Sequence, residues 1–222
     1  GEQALAEFES LSAESLSTLA SESFPKFVQS KECLRLVEKL LGGAPGPLQR
    51  HPAEDLLYEG YTLPADCAGW LLSFVSIAES FPSCIVLCNM ALPGATIIYV
   101  NQQFPKVTGY SKADAQGRNC SFLQGPGTEP RSVHAIQTAL RGEVGAQVKI
   151  TNYRKSGEAF ENLLTLQPVH DSNGGYRFCI GVQFDVSAGQ SDTSKLGRLT
   201  KLVKLLPSTI EVPSALAAGD AV

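Results

Sequence analysis

The sequence predicts an α+β fold: a five-stranded antiparallel sheet with helices on one face, flanked by helices at both ends. Three observations predict it. Short runs rich in β-branched and aromatic residues recur at 83–88, 95–101, 144–153, 159–169 and 175–186, and helical spacing appears only between the second and third of them. The last two runs are joined by Asp171-Ser172-Asn173-Gly174-Gly175, a hairpin signal because Asn-Gly tolerates positive φ. Parity also sends one carboxamide from each of the last three strands onto the sheet face that is otherwise apolar or small.

Taken in order, residues 1–41 read as helical, with Leu34, Val37, Leu40 and Leu41 at helical spacing and Gly42-Gly43-Ala44-Pro45-Gly46-Pro47 ending the run. Residues 42–64 read as a Gly/Pro linker, so 1–64 form an N-terminal flank. Asp66 is expected to cap a helix that fills 65–80, with Trp70, Leu71, Phe74, Val75 and Ile77 as its apolar stripe and Pro82 as terminator. The core domain is expected over 81–187. Within it, 102–109 and 112–116 form short helices around Gly109 and Ser111, and 132–141 forms a longer one with Val133, Ile136 and Leu140 on one side. Residues 194–206 form an amphipathic helix stopped by Pro207, and 207–222 read as a disordered tail.

Composition narrows the function. With 43% hydrophobic and 18% charged residues the chain is globular. A net charge of −4 argues against nucleic acid as a partner. No apolar run reaches the ~18 residues of a transmembrane helix. The chain starts with Gly1 and shows no signal peptide, which reads as a piece trimmed from a longer protein. The cysteines at 33, 67, 84, 88, 120 and 179 are scattered through a chain too large to need staples, so reduced thiols in a cytoplasmic protein are expected. His51, His134 and His170 stand apart in sequence and suggest no metal site; Cys84 and Cys88 share a strand face and read as apolar pocket lining with Val86. No Ser/His/Asp set, phosphate loop or carboxylate pair points to an enzyme.

The carboxamides do point to a ligand. Asn152 shares a face with Ile150, Asn162 with Leu164 and Leu166, and Gln183 with Cys179 and Gly181. An amide buried without a partner costs a few kcal/mol. Each offers both donor and acceptor, so together they can read the mixed edge of a heteroaromatic ring, with Leu164, Leu166 and Ile150 on its faces and Gly181 leaving room.

The segment Gly117-Arg118-Asn119-Cys120-Ser121-Phe122-Leu123-Gln124 resembles the Gly-Arg-Asn-Cys-Arg-Phe-Leu-Gln motif of LOV domains, the flavin-binding blue-light sensors of the PAS superfamily. Asn152-Tyr153-Arg154-Lys155-Ser156-Gly157 is similar to their Asn-Tyr-Thr-Lys-Ser-Gly, Asn162-Leu163-Leu164 to Asn-Leu-Phe, and Ile180-Gly181-Val182-Gln183 to their final strand. The resemblance implies a PAS/LOV fold and a sensory photoreceptor. It implies that Cys120 forms a reversible bond to flavin carbon C4a under blue light and that Gln183 relays protonation of ring atom N5. It also implies that Asn152 and Asn162 hold the pyrimidine edge, and that Asn119 and Gln124 contact the ribityl chain. Val86, Cys88, Ile136, Gln137 and Ser121 complete the expected lining. Two arginines that hold the flavin phosphate in such domains are replaced by Ser121 and Gln137, so FMN is expected with riboflavin or FAD as alternatives. Competing functions are a light-indifferent flavin redox sensor and a cofactor-free PAS interaction domain.

Partners follow from surfaces. Leu163, Ile180, Val182 and Phe184 need a cover, which the helix with Trp70 or the helix from Ser194 can supply within one chain or across a homodimer; an intramolecular effector is the other expected partner. Leu196, Leu199, Leu202, Val203 and Leu206 flanked by Lys195, Arg198, Lys201 and Lys204 suit a docking helix or contact with an anionic membrane. Phe24-Pro25-Lys26-Phe27-Val28-Gln29-Ser30-Lys31 is similar to the closing helix of RGS domains, over too short a stretch to imply their activity.

Overall fold

The computed structural model describes residues 52–187 and 208–212. The helical flank at 1–41, the RGS-like segment, the amphipathic helix at 194–206 and the tail beyond 212 lie outside the described residues. The strands are β1 (Cys84–Asn89), β2 (Thr96–Val100), β3 (Ala146–Tyr153), β4 (Ala159–Asp171), β5 (Tyr176–Asp185) and β6 (Thr209–Ile210). The helices are α1 (Ala68–Glu79), α2 (Gln103–Thr108), α3 (Lys112–Ala115) and α4 (Pro130–Arg141), with 3-10 turns at Pro52–Leu56 and Cys120–Leu123. The sheet runs β2-β1-β5-β4-β3, all antiparallel, and β6 adds a short parallel pairing to β4.

β1 is apolar at both parities from Cys84 to Cys88, and β5 is buried at both from Phe178 to Phe184, because both sheet faces are covered. On one face Ile85, Leu87, Ile180, Val182 and Phe184 meet Trp70, Leu71, Phe74, Val75 and Ala78 of α1 in one core cluster. Trp70 lies stacked between Phe74 and Phe178, with ring centroids 5.3 Å apart in each pair. Burying such side chains contributes roughly 1.5–3 kcal/mol each. α1 is therefore the cover that the apolar strand face required, supplied within one chain. On the other face Cys84, Val86 and Ile97 pack with Phe104, Ala115 and Leu123 from α2, α3 and the Cys120 turn.

Asn101 ties the layers together. Its Oδ1 accepts from Ile85 N at 3.0 Å, and its Nδ2 donates to Ala78 O at 3.0 Å and Ser83 O at 2.8 Å. One fully buried carboxamide thus fastens the end of α1 and the start of β1 to the end of β2.

Three expectations are corrected. Asp66 does not cap α1: the N-cap position is Cys67, with no side-chain cap, and the Asp66 carboxylate instead pairs with Arg177 of β5 at 2.8 and 2.9 Å. The linker expected to run to residue 64 is structured from Pro52 on. Ala53 and Leu57 are buried in the α1 core, Tyr58 N donates to Ile98 O at 2.7 Å, and Gln116 Nε2 donates to Leu56 O at 2.8 Å. The tail expected to be disordered from 207 returns to the sheet. β3 stops pairing at Ala146 opposite Leu166, so β4 runs on with a free edge, and β6 occupies it in the register His170↔Thr209 and Asp171↔Ile210. Ile210 is 1% exposed within the α1 core cluster, which is the apolar contact that holds so short a strand. No helix among the described residues is long and apolar enough to cross a membrane.

Candidate functional site

Cys120 is positioned by backbone pairing at the free edge of β2. Gly117 N donates to Ile97 O and Ile97 N donates to Arg118 O, each at 2.8 Å. Gly117 sits at φ +81°, and a Cβ there would lie 2.8 Å from the Tyr58 ring, so glycine is required both for the backbone angle and for the close ring. Asn119 then caps the turn: its side chain accepts from Ser121 N at 2.8 Å and donates to Gly94 O. The turn is anchored by buried Leu123 and by Phe122, whose ring lies under the Arg118 guanidinium (4.1 Å) and against Tyr110 (4.9 Å). Cys120 is its first residue and remains half-buried beside a cavity.

That cavity measures about 320 Å³, within the ~300–1,000 Å³ range of small-molecule sites. Its floor is the sheet face of β1, β3, β4 and β5; its roof is the Cys120 turn and α4. The carboxamides meet on the floor. Asn162 Nδ2 donates to Asn152 Oδ1 at 2.8 Å and, more weakly, to Gln183 Oε1 at 3.3 Å. Asn162 is 1% exposed, and its Oδ1 has no hydrogen-bond partner. A buried acceptor left unpaired costs about 1–3 kcal/mol. A planar ligand that offers an N–H to this oxygen would remove that penalty. Gly181 leaves the floor open: a Cβ there would make only ordinary contacts, at 3.7 Å from Leu164 Cδ1 and 3.9 Å from Val86 Cβ.

The surrounding thiols are held neutral. Contact with the Cys120 sulfur, followed by burial, holds the Cys88 thiol well above the ordinary thiol range. Burial pushes Cys179 up to about 12 and raises Cys84 further. Cys88 and Cys179 are cross-strand neighbours, and every cysteine among the described residues is a free thiol. Among those residues no cluster of His, Cys, Asp and Glu is arranged to hold a metal.

The structure brings the expected residues together around this one cavity. Asn119, Cys120, Ser121, Gln124, Ile136, Gln137, Asn152, Asn162, Leu164, Leu166, Gly181, Gln183, Val86 and Cys88 all line it. Cys84 does not line it; it packs beside Val86 among apolar neighbours. Asn119 reaches the cavity with its carboxamide already engaged at both ends by backbone. Sequence reasoning missed Ala95, Leu123, Val133 and Leu140 as lining. Val133 and Leu140 were legible as the stripe they share with Ile136 on α4; Ala95, at φ +53° in the β1–β2 loop, carried no signal. α4 begins two residues earlier than expected, with Pro130 at its first turn.

Comparison with known proteins agrees with this geometry. Residues 82–188 match the PAS domain family model. A blue-light-activated histidine kinase of Brucella anthropi is 40% identical over 131 residues, taking in 59% of this chain and 26% of the relative. One from Brucella abortus is 42% identical over 120 residues, 54% of this chain and 23% of the relative. The matched part is thus about a quarter of the length of these curated relatives. A solved light-oxygen-voltage domain studied with a flavin analogue shares 32% identity at a TM-score of 0.50, covering 60% of this chain and 96% of that one. With the motif residues gathered around one cavity and nearly the whole of a solved LOV domain matched, the chain belongs to the LOV family of the PAS superfamily.

Proposed function

We propose that this chain is a blue-light sensory module that holds a flavin in the cavity and bonds it reversibly through Cys120. One observation carries the reading: a free half-buried thiol stands over a floor of buried carboxamides, one of whose acceptors has no partner. The relatives are blue-light-activated kinases, which supports the same stimulus here.

A flavin bound there supplies blue-light absorption and a ring that becomes both basic and electrophilic when excited. Asn152 and Asn162 hold its pyrimidine edge, Asn162 Oδ1 gaining the donor it lacks. Leu164, Leu166 and Ile150 exclude water from its faces. Asn119 and Gln124 hold the polar chain. Cys120 would be the residue that adds its S–H across a C=N bond of the bound ring, the thiol proton going to nitrogen and the sulfur to carbon, and the reverse elimination would restore both the thiol and that double bond in the dark. Gln183, whose Oε1 accepts from Asn162 at 3.3 Å, would turn its amide to present this oxygen where the ring gained a proton. The reverse face of the same strand carries Val182 and Phe184 against α1, so a shift in β5 alters the α1 contact. The module passes this change through its flanks to an effector or to a second copy of the chain.

An absorption spectrum with a structured blue band that bleaches under blue light and recovers in darkness is expected, with Cys120→Ala retaining the band and losing the bleach. A stable band selects the light-indifferent redox sensor, and a colourless protein selects the cofactor-free interaction domain.

A further inference from the structure

We propose that the cavity selects its flavin by ring and ribityl chain alone and gives no advantage to a terminal phosphate, so that riboflavin binds as well as FMN. The inference rests on the flavin reading above and concerns the rim of the same site. Among the described residues, no Lys, Arg, His, Asp or Glu lines the cavity. The exposed rim, where a chain leading away from the carboxamide floor must emerge, consists of Asn119, Ser121 and Gln137, all neutral.

The cations nearby in sequence are turned to other work. Arg118 stacks over Phe122 at 4.1 Å and donates to Asp114 O at 3.3 Å. Arg141, one helical turn beyond Gln137, donates from Nη2 to Gln137 Oε1 at 3.2 Å. Arg131 lies on the α4 wheel opposite the stripe of Val133, Ile136, Gln137 and Leu140 that faces the cavity. His134 does not line the cavity.

The helix dipole does not compensate either. The N-cap of α4 is Glu129, whose carboxylate accepts from Thr151 N at 2.9 Å and Thr151 Oγ1 at 2.7 Å and so stays ionised. An anion approaching that helix end meets a negative charge already seated there. A guanidinium–phosphate pair is a charge-assisted, often bidentate contact; no guanidinium lines this rim, and the one beside it, Arg141, is engaged by Gln137.

The test is competitive titration of the full chain, stripped of flavin, with riboflavin and with FMN, followed by quenching of flavin fluorescence. Dissociation constants within about threefold of each other, with a ratio that does not move from low to high salt, are expected. An FMN preference of about tenfold or more that salt erodes overturns the proposal and leaves the flavin reading standing. Arg141→Ala is expected to leave the ratio unchanged; a selective loss of FMN affinity would make Arg141 the phosphate ligand and sink the proposal. Gln137→Arg, a swap between comparable helix formers at an exposed position, is expected to create an FMN preference of ~10-fold. Failure to bind either flavin in a chain that melts cooperatively overturns the flavin reading itself.

Discussion

Asn162 shows how a single position sets what this cavity can hold, and Gly125 how one keeps the fold beside it. Asn162 spends its Nδ2 on Asn152 and Gln183 and keeps Oδ1 unpaired, a conformation that a ligand donor would complete. Gln183 is the member of this set proposed above as the relay, since it sits on β5 and its Oε1 accepts the longer, 3.3 Å bond from Asn162. Gln183→Leu is expected to keep flavin and photobleaching while blunting the light-driven change at the flanks. Hydrogen exchange of α1 in dark and light reads this, and an undiminished light response in that variant excludes Gln183 as the relay. Gly125 does structural work beside the site: a Cβ there would lie 2.4 Å from the Tyr153 ring, which is itself fixed by Gly127 N donating to its hydroxyl at 2.7 Å. Gly125→Ala is therefore expected to destabilise the fold by about 1–3 kcal/mol in denaturant melts, by overpacking.

Among the elements, those with a strict period were legible in the sequence and those without one were not. Parity alone put Ile150, Asn152, Asn162, Leu164, Leu166, Gly181 and Gln183 on one face, and they share one cavity. The stripe of α1 was legible for the same reason, because Trp70, Leu71, Phe74 and Val75 recur at helical spacing and are buried; Ile77, expected with them, is only half-buried, and Ala78 is buried beside it. Pro52–Leu56 and β6 carry no period. Each is held by single apolar anchors, Ala53 and Leu57 in one and Ile210 in the other, set among polar neighbours that read as loop. The Asp66 cap failed because a carboxylate near a helix start can also serve a distant cation, and Arg177 is far away in sequence. The β6 strap gives a direct test of anchor over period. Its pairing includes His170 N to Ser208 O at 3.1 Å and Ser172 N to Ile210 O at 2.8 Å, with Ser172 Oγ accepting from Val212 N at 3.2 Å. Main-chain bonds of a two-residue edge strand contribute little net stability, so burial of Ile210 is expected to supply much of the hold, roughly 1.5–3 kcal/mol. Ile210→Ser is expected to free the strap and expose the His170 and Ser172 amides to hydrogen exchange, with the rest of β4 staying protected. Unchanged protection of both amides would show that the strap needs no apolar anchor.

At the scale of the whole molecule, carboxylates clamp the peripheral elements onto the sheet. Arg177 of β5 holds Asp66 at the start of α1 and Asp171 at the end of β4, beside the strap. Glu129 joins the start of α4 to β3, and Asp114 joins α3 to the β3–β4 turn through Lys155 at 2.7 Å. Each of these carboxyls sits below its ordinary range: Asp66 chiefly through its bond to Arg177, Glu129 through Thr151, Asp171 through the Gly175 amide and then Arg177, and Asp114, at about 2, through Lys155. Because the folded values lie below the unfolded ones, the unfolded chain binds more protons across the interval between them. The stabilisation is then fully present above the ordinary carboxylate range of about 4 and is lost as pH falls through the folded values. These pairs are largely solvent-exposed, so salt should weaken the effect. Melting temperature is expected to hold steady above pH ~5 and to fall towards pH ~2, more shallowly at high salt. Arg177→Leu should lower the plateau and flatten the acid limb, because its two partners return towards ordinary values. An acid limb of unchanged depth in that variant would show that the clamp between α1, β4 and β5 does not contribute to the pH dependence of this fold.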